Sequence, residues 1–230
     1  MDFEVEIDPT VPAAQGDETF VLVRDGERRT MRIHDYDDVY AVPGLYEHVV
    51  QERLGCTSPQ TLATSLASRA RAAGADGAGL AGIRCLDVGA GNGVSGGALR
   101  AAGITPAVGL DISPAAREAV ERDRPGTYER FVVGGLADVD PAALVAEHDL
   151  TALVGAGALT GGHIEPATLA ATWAAFAPGA WLAFTCPEQH ADAARAGFAD
   201  ASFELDERFE HRRLTDGSPV WYRVLVGRHR

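Results

Sequence analysis

A chain of 230 residues, 46 % of them hydrophobic, can bury one sizeable core and leaves little room for a second independent domain. Its 20 Lys and Arg against 33 Asp and Glu leave a net charge of −13, a field that repels phosphate backbones and anionic headgroups, so neither nucleic acid nor a membrane surface is an expected partner. The opening MDFEVEIDPT holds no apolar signal core and no stretch nears the roughly 18 apolar residues of a membrane span, so a cytoplasmic protein is expected.

TFVLVRDGERRTMRI sets Asp25-Gly26 between two strand-like runs, which predicts a tight hairpin. HDYDDVYAVPGLYEHVVQERL reads as helical with a break at Pro43-Gly44. SPQTLATSLASRARAAG reads as a helix capped by Ser58, with Pro59 at its first position and Gly74 past its end. GADGAGLAG is too rich in glycine for a regular element and reads as a join. The expected organisation is a β-hairpin extension over 1–34, a helical cap or lid over 35–75 and a ligand-binding domain over 76–230. The exposed edge of the hairpin can pair with a second copy, so a homodimer is allowed.

From Ile83 onward strand-like and helix-like stretches alternate, the pattern of a parallel sheet covered on both faces by helices. The predicted strands are 83–88, 107–111, 130–133, 150–155 and 181–186, with helices beginning near Val94, Pro114, Pro141, Pro166 and Glu188. Ser113 caps the second helix, and Leu169, Trp173 and Phe176 give the fourth one apolar face. The last segment, FELDERFEHRRLTDGSPVWYRVLVGRHR, reads instead as two long strands around Asp216-Gly217. Cys56, Cys85 and Cys186 are odd in number and widely spaced, against a disulfide framework; Cys85 and Cys186 read as core, and no cluster has metal-ligand spacing.

LDVGAGNGVSG, residues 86–96, admits two registers. From Gly91 it is G-x-G-x-x-G, the phosphate-cradling turn of dinucleotide enzymes. From Asp87 it is D-x-G-x-G-x-G, which resembles the first motif of class I methyltransferases that use S-adenosylmethionine (SAM). A pyrophosphate gains nothing from a carboxylate two positions before the first glycine, whereas the ammonium of SAM is attracted by one, directly or through water. Asp111, ending the second strand in GLDIS, can accept hydrogen bonds from both hydroxyls of a ribose, a use common to both cofactors.

The resemblance covers residues 83–230 and rests on LDVGAGNG, GLDIS, DLTALVGAG, FAPGAWLAF and the terminal hairpin, in that order. It implies an α/β, Rossmann-like doubly wound sheet, mostly parallel with an antiparallel C-terminal β-hairpin, of the seven-stranded methyltransferase type. It also implies SAM as cofactor and S-adenosylhomocysteine as product, held by Asp87, Gly89, Ala90, Gly91, Gly93, Asp111 and Ile112, with Ala156 just past the fourth strand. Ile112 would lie on the adenine face. Where many such enzymes carry an acidic residue after the third strand this chain has Gly135, which leaves the adenine to the backbone around Gly135 and Leu136 and to the side chain of Asp138.

Transfer from a sulfonium is a direct displacement, so alignment matters more than a catalytic side chain. The Asn-Pro-Pro-Tyr box of enzymes that methylate amide or exocyclic nitrogens is absent from GAGALTGGHIEP, which points to a small-molecule acceptor. His163 in that loop is the candidate base and acceptor contact. Tyr36 and Tyr40, one helical turn apart, are candidates for the cofactor and acceptor pocket under a lid. His34, His211 and His229 read as surface or strand-face residues. Three rivals stay open: a SAM-consuming enzyme of non-methyl transfer or cyclisation chemistry, a non-catalytic SAM-binding module, and an NAD(P)-linked oxidoreductase.

Overall fold

The computed structural model describes residues 2–11, 14–158, 164 and 166–230. β1 (Glu4–Glu6), β2 (Thr19–Arg24) and β3 (Glu27–Arg32) form an antiparallel sheet whose Asp25-Gly26 turn has both residues left-handed, as the sequence predicts; β1 was not expected. α1 (Tyr36–Ala41) ends before Pro43, and a π-helical segment (Glu47–Arg53) follows Gly44. Val39, Leu45, Val49 and Val50 of this cap share one core with Phe20, Leu22 and Met31 of the small sheet.

α2 (Ser58–Ala72) begins one residue earlier than expected: Thr57 is its N-cap, and the Ser58 hydroxyl, inside the first turn, bonds a histidine instead. The glycine-rich join also differs from expectation. Asp76 accepts the Gly79 N–H at 2.8 Å and caps a short helix, α3 (Gly77–Ala81). A capping carboxylate thus offsets the entropy that its glycines lose.

β4 (Arg84–Val88), β5 (Thr105–Asp111), β6 (Arg130–Val133), β7 (Ala152–Ala156) and β8 (Trp181–Pro187) are parallel. β9 (Ala201–Arg213) and β10 (Pro219–His229) complete a seven-stranded sheet of order β6-β5-β4-β7-β8-β10-β9, with β10 antiparallel to both neighbours. The helices between them are α4 (Val94–Ala101), α5 (Pro114–Asp123), α6 (Pro141–Glu147), α7 (Pro166–Trp173) and α8 (Ala191–Gly197). Ser113 caps α5 through the Ala116 N–H, as predicted.

Strand alternation divides the core in two. Cys85, Val154, Ala183 and Val224 face α2 and α4, packing on Leu62, Leu66 and Leu99. Leu86, Val88, Leu153 and Phe184 face the other way, onto Leu169, Trp173 and Phe176 of the α7 segment. Burying each such side chain contributes on the order of 2 kcal/mol, and Cys85 and Cys186 sit among them as free thiols.

Candidate functional site

The strand order reverses between β4 and β7, and a cleft opens there over the carboxyl ends of the strands. It has two lobes. The first, about 850 Å³, is walled by Asp111, Ile112 and Ser113, by Gly135, Leu136 and Ala137, and by the cap. The second, about 110 Å³, lies between the turn Gly89 to Ser95 and the end of the C-terminal hairpin. Tyr36, Tyr40 and Tyr46 line both.

The turn between β4 and α4 owes its shape to glycine. Gly91 is left-handed with φ +52°, and a Cβ there would stand 2.6 Å from the Tyr40 hydroxyl. Its N–H donates to Asp111 Oδ2 at 2.8 Å, while the Ser113 N–H donates to Oδ1 at 2.9 Å. A carboxylate accepts about four hydrogen bonds, so about two directions remain for a ligand in the first lobe. Burial pushes the Asp111 pKa above its ordinary value, against the pull of those backbone donors.

Asp87 lies beneath the turn and is fully buried. Its Oδ2 accepts from Ser95 at 2.5 Å and from Tyr128 at 2.6 Å, while Oδ1 has no hydrogen-bond partner among the described residues. Desolvation raises its pKa to about 6, and the two hydroxyl donors limit the rise.

Over the turn stand three tyrosines in mutual ring contact: Tyr36 and Tyr40 stack at 5.7 Å, and Tyr46 lies 5.2 Å from Tyr40. Burial holds the Tyr36 phenol at about 12 and those of Tyr40 and Tyr46 well above the usual range, so all three stay neutral. The cap is pinned from α5 and from the residues flanking it at either end. Ser113 bonds Asp37, Arg122 donates to the Tyr40 carbonyl at 3.0 Å, and Arg124 bridges Glu47 at 2.5 Å and the Asn92 carbonyl at 3.1 Å.

The second lobe holds a buried ion pair and a stacked pair. Arg212, 3 % exposed, grips fully buried Glu18, which also accepts the Thr215 N–H at 3.1 Å. Burial works against the Arg212 charge, but Glu18 more than offsets it and raises the pKa. His211 stacks on Tyr222 at 3.8 Å, and its Nδ1 lies 2.6 Å from Ser58 Oγ. Burial, helped by the Arg212 charge, pushes its pKa down to about 3, so the imidazole is neutral.

No protein-family model matches the chain, and no curated protein matches it in sequence. Solved structures do resemble it. A SAM-dependent methyltransferase from Anabaena variabilis superposes with a TM-score of 0.60 at 12 % identity, over 86 % of this chain and 95 % of that one. Magnesium protoporphyrin IX methyltransferase from Synechocystis, with bound SAM, gives 0.52 at 17 % identity over 76 % and 81 %. A candidate RNA methyltransferase from Pyrococcus horikoshii gives 0.53 at 9 % identity over 73 % and 81 %. The chain has the class I methyltransferase fold.

On this methyltransferase fold the sequence-predicted residues separate into groups. Gly89, Asp111, Ile112, Gly135, Leu136 and Ala156 line the first lobe, and Gly89, Ala90 and Gly91 line the second. Three residues lie off the wall. Asp87 is under the turn rather than in the cleft. Gly93 is the left-handed N-cap of α4 and faces Val120. Asp138, expected beside the adenine, is exposed and accepts the Gly135 N–H at 2.9 Å, which closes its own turn. His163 falls outside the described residues.

Two expectations about histidines are corrected. His34 lines both lobes, and His211 is buried in the second. The cause at His211 is a β-bulge: Val220 pairs with Arg212 and Trp221 with Glu210, so His211 is the extra residue and both it and Arg212 turn inward. Nothing local in the sequence marks this bulge, since it forms without glycine.

Proposed function

We propose that the chain is a SAM-dependent methyltransferase acting on a small-molecule acceptor, with the adenosyl part of the cofactor in the first lobe. The observation that carries this is Asp111, a half-used carboxylate at the end of β5, facing a lobe with ample room for a nucleoside beside a glycine turn. Its open acceptor directions suit a ribose diol. Ile112, 73 % exposed, offers an apolar face for an adenine, and the backbone of Leu136 and Ala137 offers polar edges. The orphaned Asp87 Oδ1 beneath the turn gives a cation above it a favourable field. Bound SAM would supply an electrophilic sulfonium methyl group.

The chain's own part is to align and to dry the site. Three neutral tyrosines roof the turn, and neutral phenols present aromatic faces to a sulfonium without competing for its methyl group. Asp35, Asp37 and Asp38 line the same lobe as Asp111, an acidic wall that favours a compact acceptor over a polyanion.

Calorimetry with SAM, S-adenosylhomocysteine and NADH tests the reading. The two adenosyl ligands are expected to bind and NADH not to. Asp111→Ala should weaken the adenosyl ligands by at least about 100-fold, since two hydrogen bonds to a charged group are worth roughly 3 kcal/mol or more together. NADH binding alone would sink the proposal. Turnover that releases methylthioadenosine rather than S-adenosylhomocysteine would replace methyl transfer with another use of SAM.

A further inference from the structure

The second lobe differs in charge from the first. In a molecule of net charge −13, with four aspartates on the first lobe, the described residues lining the second include no carboxylate and one guanidinium. That guanidinium is only partly used. Arg212 Nη1 donates to Glu18 Oε1 and to the Arg213 carbonyl, and Nη2 donates to Glu18 Oε2. Of five N–H groups, Nε–H and the second hydrogen of Nη2 remain, the side-on edge of the fork, without a hydrogen-bond partner among the described residues. An Arg side chain 3 % exposed, lining a cavity with a bidentate edge left over, is built to receive an anion.

We propose that the second lobe is a carboxylate subsite, in which Arg212 takes the anion side-on while Glu18 holds the guanidinium from behind. Its neighbours suit this use. Gln15, bonded to the Tyr222 hydroxyl at 2.7 Å, and the stacked His211 and Tyr222 supply a flat, uncharged wall that adds no repulsion. At about 110 Å³ against about 850 Å³, the lobe suits a small anionic group rather than a second nucleoside.

This inference rests on the proposed placement of the cofactor, because the two lobes share the glycine turn. Two molecules can bring a carboxylate there: the cofactor, through its amino-acid end, or an acidic acceptor. The variants are Arg212→Lys, which keeps a charge for Glu18 but loses the fork, and the double variant Glu18→Gln/Arg212→Gln, which removes the pair without stranding a buried charge. Both are titrated at pH 8 with S-adenosylhomocysteine, with 5′-methylthioadenosine, which lacks the amino acid, and with benzoate.

If the cofactor supplies the carboxylate, both variants lose about 10- to 100-fold for S-adenosylhomocysteine and nothing for methylthioadenosine, the loss expected for charge-assisted bonds. If the acceptor supplies it, both adenosyl ligands bind the variants as they bind the wild type, and benzoate binds only the wild type. Unchanged S-adenosylhomocysteine affinity together with no Arg212-dependent benzoate binding overturns the subsite. Should the variants not fold, the Arg212 Nε–H resonance of the wild type reports the same contact, and a resonance unmoved by every ligand overturns it. Should methylthioadenosine fail to bind the wild type, the cofactor placement fails, and benzoate added to the protein alone still decides the fork.

Discussion

Asp87 is carried by strand alternation onto the α4 face of the sheet, where Leu86 and Val88 point the other way and cannot share its environment. Ser95 and Tyr128 satisfy one oxygen, the other is orphaned, and the carboxyl titrates near 6 instead of 3.8. The sign follows from proton counting. Between those two values the folded chain holds more protons than the unfolded one, so this group's contribution to stability falls as pH rises through the window. Above pH 6 the cost is fully present, up to about 3 kcal/mol for a shift of some two units at 1.36 kcal/mol each. Asp87→Asn should therefore raise the melting temperature at pH 8, and its advantage over the wild type should shrink steadily toward pH 4. Calorimetric scans of both proteins across that range check it. An advantage that does not vary with pH would show that the carboxyl is not the strained group.

Among the elements, the cap depends on contacts with α5 and the residue that follows it. Arg124 reaches both Glu47 in the π-helical segment and the Asn92 carbonyl in the glycine turn, with about a quarter of its side chain exposed. Arg124→Ala should cost about 1 to 2 kcal/mol, the range for a part-buried charged hydrogen bond. Hydrogen exchange should quicken over 36–53 while the amides of β4, β7 and β8 keep their protection. Uniform quickening across the sheet would mean that the cap and the sheet unfold as one unit. These elements were legible to different degrees for physical reasons. The parallel strands announced themselves as apolar runs between capped helices, and Ser113 and the Asp-Gly turns carry their chemistry locally. The second lobe was not legible. Glu18 and Arg212 are 194 residues apart, and a bulge rather than the alternation of β9 turns Arg212 inward. Asp138 misled for a related reason: an acidic residue at the right place in sequence is spent on its own turn.

At the scale of the whole molecule, the net charge of −13 would not by itself exclude nucleic acid if a basic face were assembled by folding. Arginines do gather on the small sheet, on β2 and β3. Each is matched: Arg24 with Asp25, Arg28 with Glu6, Arg29 with Asp38 and Arg32 with Asp17. Such exposed pairs add little to stability, but they cancel the local field that would attract a phosphate backbone. The first lobe adds its own repulsion through Asp35, Asp37 and Asp38. Labelled RNA hairpin and DNA duplex should thus show no saturable anisotropy change at 50 mM salt up to about 10⁻⁴ M protein, the weak end of ordinary non-specific binding. Low salt is the demanding condition, because counterion release favours binding most strongly there. Binding at 50 mM that weakens steeply toward 200 mM would reveal a cationic surface that the paired arginines do not provide, and the acceptor would then be sought among polyanions.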